Sequence, residues 1–200
     1  LNRAECVEQN ANKDYLIIED TVHYQYPKNN VDIVALPLKD VFRISVMIDF
    51  NNPALGVQHT GLFSMEKEFA DEFAPSRTFC FLSEVEMLRV NNLIKGGDID
   101  NAIVIKDMDL SDEDFEKMKK RLGIEKSVIL GSSGILNNTN LRFKNEPARH
   151  KLLDLIGDMA LIGAPIKGQI LAARPGHRAN VEFTKMLRKL YLQKKIEKKY

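Results

Sequence analysis

Residues 43–50 read Arg-Ile-Ser-Val-Met-Ile-Asp-Phe, with an apolar side chain at every second position. A period of two is typical of a β-strand that buries one face, so this stretch predicts a strand in the core of a sheet. The turn residues Asn51, Asn52 and Pro53 end the strand. The side chains predicted to share its buried face are Ile44, Val46, Ile48 and Phe50.

The rest of the chain mixes strand and helix patterns. Further strands are predicted over 15–19, 32–36, 77–81, 102–105 and 166–173. Helices are predicted over 83–92, 111–122, 147–162 and 177–195. Ser83 and Glu86 have the spacing of a capping box for the first helix. Ser111 stands at the N-cap of the second helix, and Leu110 and Phe115 are spaced as its hydrophobic staple.

This pattern predicts the α+β class, as a two-layer α/β sandwich in which a mixed sheet packs on helices. The strand, helix and strand within 79–105 are expected to form an inserted β-α-β unit. The lysine-rich stretch over 185–200 is expected to be a basic helix end or a linker.

Composition excludes several classes of protein. The 200 residues are 44% hydrophobic and 28% charged, with 29 basic against 28 acidic side chains, as in soluble globular domains. This balance gives no general attraction to nucleic acid or to an anionic membrane. No apolar run reaches the roughly 18 residues of a membrane span, and the two cysteines, Cys6 and Cys80, suggest reduced thiols. We expect a cytoplasmic protein without a transmembrane segment.

The helix over 147–162 has an unusual polar face. His150, Asp154 and Asp158 recur every four residues, on the side opposite the apolar residues. A histidine and a carboxylate one turn apart can both reach one zinc ion. The alternative is an exposed helix pair without a ligand, and the spacing alone leaves both open. Gly157 on the same face leaves room for a substrate or for a neighbouring backbone segment.

Two further segments carry possible chemistry. His177 follows Pro175-Gly176 at a helix start, where it is either a functional side chain or a helix-start residue. Thr78 could donate to a developing oxyanion, and Phe79 and Phe81 could line an apolar channel, although alternating aromatics also occur in strand cores. Lys95-Gly96-Gly97 is predicted to be a turn rather than a phosphate loop. The two other histidines, His23 and His59, are predicted to be structural or exposed.

Together these segments resemble the C-terminal half of the zinc-dependent UDP-3-O-acyl-N-acetylglucosamine deacetylases, the LpxC family. Matching motifs occur in one order over most of the chain. They are Ile48-Asp49-Phe50-Asn51-Asn52-Pro53, Ser76-Arg77-Thr78-Phe79-Cys80-Phe81, Gly96-Gly97 with Asn101-Ala102-Ile103-Val104, Leu141-Arg142-Phe143-Lys144-Asn145-Glu146, residues 149–158 and Gly176-His177-Arg178-Ala179-Asn180.

The resemblance implies a role for each residue of the polar face. His150 and Asp154 would be two of three ligands to Zn2+. His177 would stabilise the oxyanion and protonate the leaving amine. Asp158 would pair with His177 and favour its charged form.

The resemblance also implies how the substrate, UDP-3-O-acyl-N-acetylglucosamine, is held. Thr78 would hydrogen-bond the tetrahedral intermediate, and Phe79 and Lys151 would contact the sugar nucleotide. The unit over 79–105 would form a hydrophobic passage for the acyl chain. The remaining residues assigned to substrate binding are Phe81, Val85, Ile94 and Gly97.

Members of this family consist of two pseudo-symmetric halves, and the chain from 1 to 200 resembles the second of them. The N-terminal half would supply the third zinc ligand and the general-base glutamate, so the chain from 1 to 200 is expected to be inactive on its own.

The lysine-rich end resembles the junction in Bacteroidetes-type proteins that are fused to a 3-hydroxyacyl-carrier-protein dehydratase. The implied function is removal of the acetyl group in lipid A biosynthesis. The alternatives are a catalytically silent binding or packing domain and another metal-dependent amidohydrolase.

Overall fold

The computed structural model describes residues 7, 14–94, 101–121, 128–129 and 134–197. The chain divides into two compact units. The sheet unit consists of residues 1–49, 57–76 and 148–200, and the insert unit consists of residues 50–56 and 77–147. Strands and helices are mixed in an α+β fold.

Eight strands are formed within the described residues. They are β1 (Leu16–Ile17), β2 (Val22–Tyr26), β3 (Val31–Leu36), β4 (Phe42–Ile48), β5 (Gln58–Leu62), β6 (Thr78–Phe81), β7 (Ala102–Ile105) and β8 (Ile166–Ala173). The sheet unit holds six of them in the order β2-β3-β8-β4-β5, with β1 pairing with β8 beside this path. β8 runs antiparallel to β3 and parallel to β4 and β1, so the sheet is mixed as predicted.

β4 confirms most of the period-two pattern. Ile44, Val46 and Ile48 are each at most 1% exposed, so one face of this strand is buried. The prediction is wrong for Phe50, because the strand ends at Ile48 and Phe50 is 42% exposed. Asp49, the first residue after the strand, accepts a hydrogen bond at Oδ2 from Nη2 of Arg174 at 2.7 Å.

Two strands escaped the sequence prediction. β2 and β5 are the outermost strands in the order of the sheet, and each has one neighbouring strand. An edge strand needs fewer apolar residues than a central one, so the polar sequences Val-His-Tyr-Gln-Tyr and Gln-His-Thr-Gly-Leu give a weak signal. The strand predicted over 15–19 shortens to β1.

The helices of the described residues are α1 (Met65–Glu68), α2 (Val85–Val90), α3 (Asp112–Arg121), α4 (Glu146–Met159) and α5 (His177–Glu197). In the sheet unit, α1 continues into a π-helical turn over Phe69–Phe73. α4 and α5 bury apolar side chains that form the core with the sheet. These side chains include Leu152, Leu155, Met159, Phe183 and Leu187. No helix among the described residues is long and apolar enough to cross a membrane.

In the insert unit, β6 and β7 pair in parallel, with Thr78 opposite Ala102 and Phe81 opposite Ile105. Two small apolar clusters form the interior of the unit. The first has Phe81, Ile103 and Ile105 at its centre, and the second has Leu82, Phe115, Val128 and Leu136.

Of the two helix caps predicted in the insert unit, one is wrong and one is confirmed. The Ser83–Glu86 capping box is wrong, because Ser83 donates from its backbone nitrogen and its hydroxyl to Asp107, at 3.0 and 2.6 Å. A 3-10 turn over Leu82–Glu84 therefore precedes α2. At α3 the prediction is confirmed, since the hydroxyl of Ser111 accepts from the backbone nitrogen of Asp114 at 3.1 Å.

Candidate active site

α4 brings three polar side chains of the sheet unit to one side. His150, Asp154 and Asp158 follow one another at intervals of one turn, and their side chains are 16%, 15% and 16% exposed. The opposite side of the helix is buried through Leu152 and Leu155. The polar face is therefore half-buried, where charge interactions are stronger than on an open helix surface.

His150 is oriented by two partners. Its Nδ1 lies 3.3 Å from the backbone oxygen of Ser76, and its Nε2 lies 3.4 Å from Oδ1 of Asp154. A carbonyl oxygen only accepts, so Nδ1 carries the proton in this contact. Burial lowers the pKa of His150, against the opposing effect of the Asp154 carboxylate. The ring therefore favours its neutral form, with the Nε2 lone pair directed toward Asp154.

This pair could hold a metal ion. Two ligand atoms at about 2.1 Å from a tetrahedral ion are separated by about 3.4 Å. The distance between Nε2 of His150 and Oδ1 of Asp154 equals that separation. No group of three His, Cys, Asp or Glu side chains that could hold a metal is found in the described part of the chain. Among the described residues, His150 and Asp154 could therefore offer two ligand atoms to an ion.

His177, the first residue of α5, joins the same face. Its Nδ1 lies 2.9 Å from Oδ2 of Asp158, and its Nε2 lies 3.8 Å from Oδ2 of Asp154. Asn180 donates to the same oxygen of Asp158 at 2.8 Å. Because Asp158 holds Nδ1, the other ring nitrogen is turned toward the His150–Asp154 pair. The side chain of His177 is 67% exposed, so Nε2 is accessible to a small molecule.

Lys151 places a cation on the same carboxylate. Its Nζ donates to Oδ2 of Asp154 at 2.9 Å, and its side chain is 20% exposed. The two oxygens of Asp154 thus have separate neighbours, with His150 at Oδ1 and with Lys151 and His177 at Oδ2. The predicted contact of Lys151 with a sugar nucleotide stays a prediction.

Other predicted site residues lie in the insert unit. Thr78 is exposed at the first position of β6, and Phe79 is half-buried. Phe81 is only 6% exposed and belongs to the core cluster, so little of its ring is available to a ligand. Val85 and Ile94 are half-buried. Gly97 lies outside the described residues, as does the Lys95-Gly96-Gly97 turn.

The sequence-based prediction missed the contacts of two residues, Asn180 in the sheet unit and Phe50 in the insert unit. Asn180 lies within the quoted Gly176 to Asn180 motif but was given no role, although a polar residue three positions after a helix-start histidine was a usable signal. Phe50 contacts the rings of Phe79 and Phe81 edge-on, with centroids 5.5 and 5.8 Å apart. The period-two pattern assigned Phe50 to the buried face of a strand and therefore did not predict this aromatic contact.

The remaining predicted residues lie elsewhere. His23 is exposed and pairs with Asp32 at 2.8 Å, and His59 is exposed, so both predictions agree with the structure. Cys80 is a free thiol, and Cys6 lies outside the described residues.

Known proteins resemble this chain over most of its length. A family model described as "UDP-3-O-acyl N-acetylglycosamine deacetylase" matches residues 1–122 and 115–189. The "Bifunctional enzyme LpxC/FabZ" of Chlorobaculum tepidum is 55% identical over 98% of this chain and 42% of its own length. The protein of the same name from Porphyromonas gingivalis is 40% identical over 94% of this chain and 40% of its own length.

A third relative bears a single activity in its name. The "UDP-3-O-acyl-N-acetylglucosamine deacetylase" of Syntrophotalea carbinolica is 34% identical over 86% of this chain and 47% of its own length. The chain therefore spans less than half the length of each of these relatives.

Proposed function

We propose that this chain, which belongs to the UDP-3-O-acyl N-acetylglycosamine deacetylase family, carries two metal ligands of a zinc-dependent deacetylase, together with its general acid and the carboxylate that pairs with that acid. The observation that carries the proposal is the arrangement of His150, Asp154, Asp158 and His177 on one face of α4 and the start of α5. A structural ion pair alone does not need two histidines directed toward one carboxylate.

The substrate is proposed from the relatives. The name of the Syntrophotalea carbinolica relative specifies a UDP-3-O-acyl-N-acetylglucosamine, and deacetylation of that compound releases acetate and leaves a free amine on the sugar. The reaction belongs to lipid A biosynthesis, and we place it in the cytoplasm. Water adds to the acetamide carbonyl, and the carbon–nitrogen bond breaks as the nitrogen receives a proton.

His150 and Asp154 are the proposed zinc ligands. Zinc, when bound, acts as a Lewis acid that polarises a carbonyl and acidifies a water molecule. Nε2 of His150 and Oδ1 of Asp154 are the ligand atoms, because their separation suits a tetrahedral ion. The third protein ligand and the general-base glutamate are proposed to lie in an N-terminal half of the intact protein, outside these 200 residues.

His177 is the proposed acid. In its doubly protonated form it donates from Nδ1 to Asp158, and it presents Nε2–H on the side of the metal ligands. That proton first stabilises the negative charge that develops on the carbonyl oxygen and then passes to the departing nitrogen. Asp158 holds the ring orientation and balances its charge. Thr78 is proposed as a further donor to the tetrahedral intermediate.

The insert unit is proposed to hold the acyl chain. α2 and the residues after it expose Met87, Val90 and Leu93, which are 50%, 79% and 66% exposed. Exposed apolar side chains at intervals of three residues are more stable in contact with a lipid chain than in contact with water. Phe50 and Phe79 of the same unit add two partly exposed rings that contact each other edge-on.

A second activity of the intact protein is also proposed. Two relatives are named bifunctional enzymes, and this chain spans 42% and 40% of their lengths. A fused 3-hydroxyacyl-carrier-protein dehydratase remains the proposed partner domain.

The test is deacetylation by an intact enzyme that carries this sequence. The assay follows release of free amine from UDP-3-O-(3-hydroxyacyl)-N-acetylglucosamine, before and after chelation and with zinc returned. Asp154→Ala should abolish turnover, whereas Asp40→Ala should leave it unchanged, because Asp40 is an exposed carboxylate paired with Lys167. Full activity of Asp154→Ala, or of the metal-free enzyme, would refute the proposal.

A further inference from the structure

Arg149, the residue before His150 on α4, holds the π-helical turn over Phe69–Phe73. Its Nη1 donates to the backbone oxygen of Glu72 at 2.8 Å and to the carboxylate of Glu72 at 3.0 Å. Its guanidinium lies over the ring of Phe73, 5.2 Å from the ring centroid. Phe73 is 1% exposed, so the arginine is anchored to a buried part of the turn.

The same turn leads directly to Ser76, which contacts His150. The backbone nitrogen of Ala74 donates to Phe69 at 2.8 Å, and that of Ser76 donates to Phe73 at 2.9 Å. These bonds fix where the Ser76 oxygen lies, and that oxygen accepts from Nδ1 of His150 at 3.3 Å. A closed path therefore runs from Arg149 through the turn and back to the neighbouring residue on α4.

We propose that Arg149 is a positioning residue for the metal ligand His150, acting through the backbone oxygen of Ser76. The inference rests on the proposed zinc site. A histidine ligand is aligned by the partner of its other ring nitrogen, and here that partner is a carbonyl whose position depends on the turn. π-helical turns are rare, and they recur at functional sites.

The arrangement predicts what loss of the Arg149 side chain would do. Without the guanidinium, the turn loses two hydrogen bonds and a ring contact, so the Ser76 oxygen is less firmly placed. Nε2 of His150 then points toward the metal less often. Removal of a group that aligns a ligand costs about 10- to 100-fold in metal affinity. Arg149 acts one step further away, so we expect about tenfold.

The experiment measures zinc affinity of the intact protein by competition with a chromophoric chelator. Arg149→Gln should weaken zinc binding about tenfold, and Arg149→Lys should recover part of the loss. The matched control is Arg188→Gln, because Arg188 also donates from Nη1 to a backbone oxygen of the sheet unit, that of Leu161 at 3.1 Å. The control should bind zinc like the parent. Absorption of the cobalt-substituted protein should change in Arg149→Gln alone.

Parental zinc affinity in a folded Arg149→Gln overturns the inference, as does an equal loss in Arg188→Gln. Where Arg149→Gln does not fold, Glu72→Gln decides, since it weakens one of the two hydrogen bonds. A loss of about two- to threefold in zinc affinity supports the positioning role of Arg149, and parental affinity overturns it. A parent that binds no zinc, or an Asp154→Ala variant that binds as tightly as the parent, refutes the zinc site itself and is recognised separately.

Discussion

Nδ1 of His177 lies 2.9 Å from Oδ2 of Asp158, the last of the three polar residues on α4. Asn180 donates to the same carboxylate oxygen at 2.8 Å, so one oxygen joins two positions on the first turn of α5. A ring held at Nδ1 has a fixed direction for Nε2, which here faces Asp154. The contact therefore links the proposed acid to the proposed metal ligand across two helices.

His177→Ala should reduce kcat of an intact deacetylase by at least about 10² to 10³, with a smaller change in KM. The reason is that His177 acts on charge that develops in the transition state. Zinc content should stay near that of the parent, whereas Asp154→Ala should lose the metal. Steady-state kinetics and metal analysis of both variants check this. Loss of zinc from His177→Ala together with retention in Asp154→Ala would reverse the assignment of ligand and acid.

Asn180→Ala should lower kcat about tenfold and leave KM near the parental value, because Asp158 loses one of the two donors that fix its carboxylate. Thr184→Val is the matched control one turn further along α5. Its hydroxyl is buried and has no hydrogen-bond partner among the described residues, so replacement by a methyl group should not reduce activity. Equal losses of activity in the two variants would indicate a packing effect rather than alignment of Asp158.

The 200-residue chain alone should bind zinc weakly. His150 and Asp154 offer two ligand atoms, one fewer than the three protein ligands of catalytic zinc sites. Isothermal titration with Zn2+ measures the affinity directly, and Asp154→Ala is the negative control. Nanomolar affinity that Asp154→Ala removes would place the third ligand within these residues.

Among the described residues of the insert unit, Glu146 is the most completely buried member of an ion pair. It is 0% exposed, and Arg77 donates to it from Nε at 2.9 Å and from Nη2 at 3.0 Å. The backbone nitrogen of Arg142 adds a bond of 2.7 Å. Glu146→Ala leaves the arginine without its partner, so unfolding free energy should fall by about 3 to 5 kcal/mol. Urea unfolding measures this, and Glu113→Ala, from an exposed pair on α3, should change little.

The same carboxylate predicts how stability depends on pH. Burial acts to raise the pKa of Glu146, but the hydrogen bonds from Arg77 and Arg142 outweigh it and lower the pKa below its usual 4.5. A lowered pKa contributes stability at pH values above the pKa of the unfolded state, and this contribution is lost as pH falls through the folded-state pKa. The stability difference between the parent and Glu146→Ala should therefore narrow below about pH 4. A difference that is constant from pH 7 to pH 3 would contradict this.

Cys80 should react slowly with thiol reagents. Burial, together with the nearby carboxylates Glu84 and Asp107, raises the pKa of its thiol to about 11. Since the thiolate is the reactive form, alkylation at pH 8 should be far slower than that of an exposed cysteine. The measurement uses iodoacetamide on a Cys6→Ser variant, so that Cys80 is the thiol followed. Reaction as fast as that of glutathione would show that the thiol is exposed or activated.

Local sequence determined the features that depend on neighbours along the chain. The period of two placed Ile44, Val46 and Ile48 on one buried face, and the helical period placed His150, Asp154 and Asp158 on one side of α4. These outcomes follow because backbone geometry alone decides which side chains share a face.

Tertiary structure decided the contacts between distant positions. The Ser76 oxygen that orients His150 is 74 residues away from it along the chain. Asp107, which accepts a hydrogen bond from Ser83 in place of the predicted capping contact, is 24 residues away from Ser83. Phe50 likewise lies outside the strand that was predicted to contain it, and its ring contacts Phe79. No periodicity encodes such pairs, because they exist only after packing has fixed which elements are neighbours, and a partner met in this way can replace a local hydrogen bond.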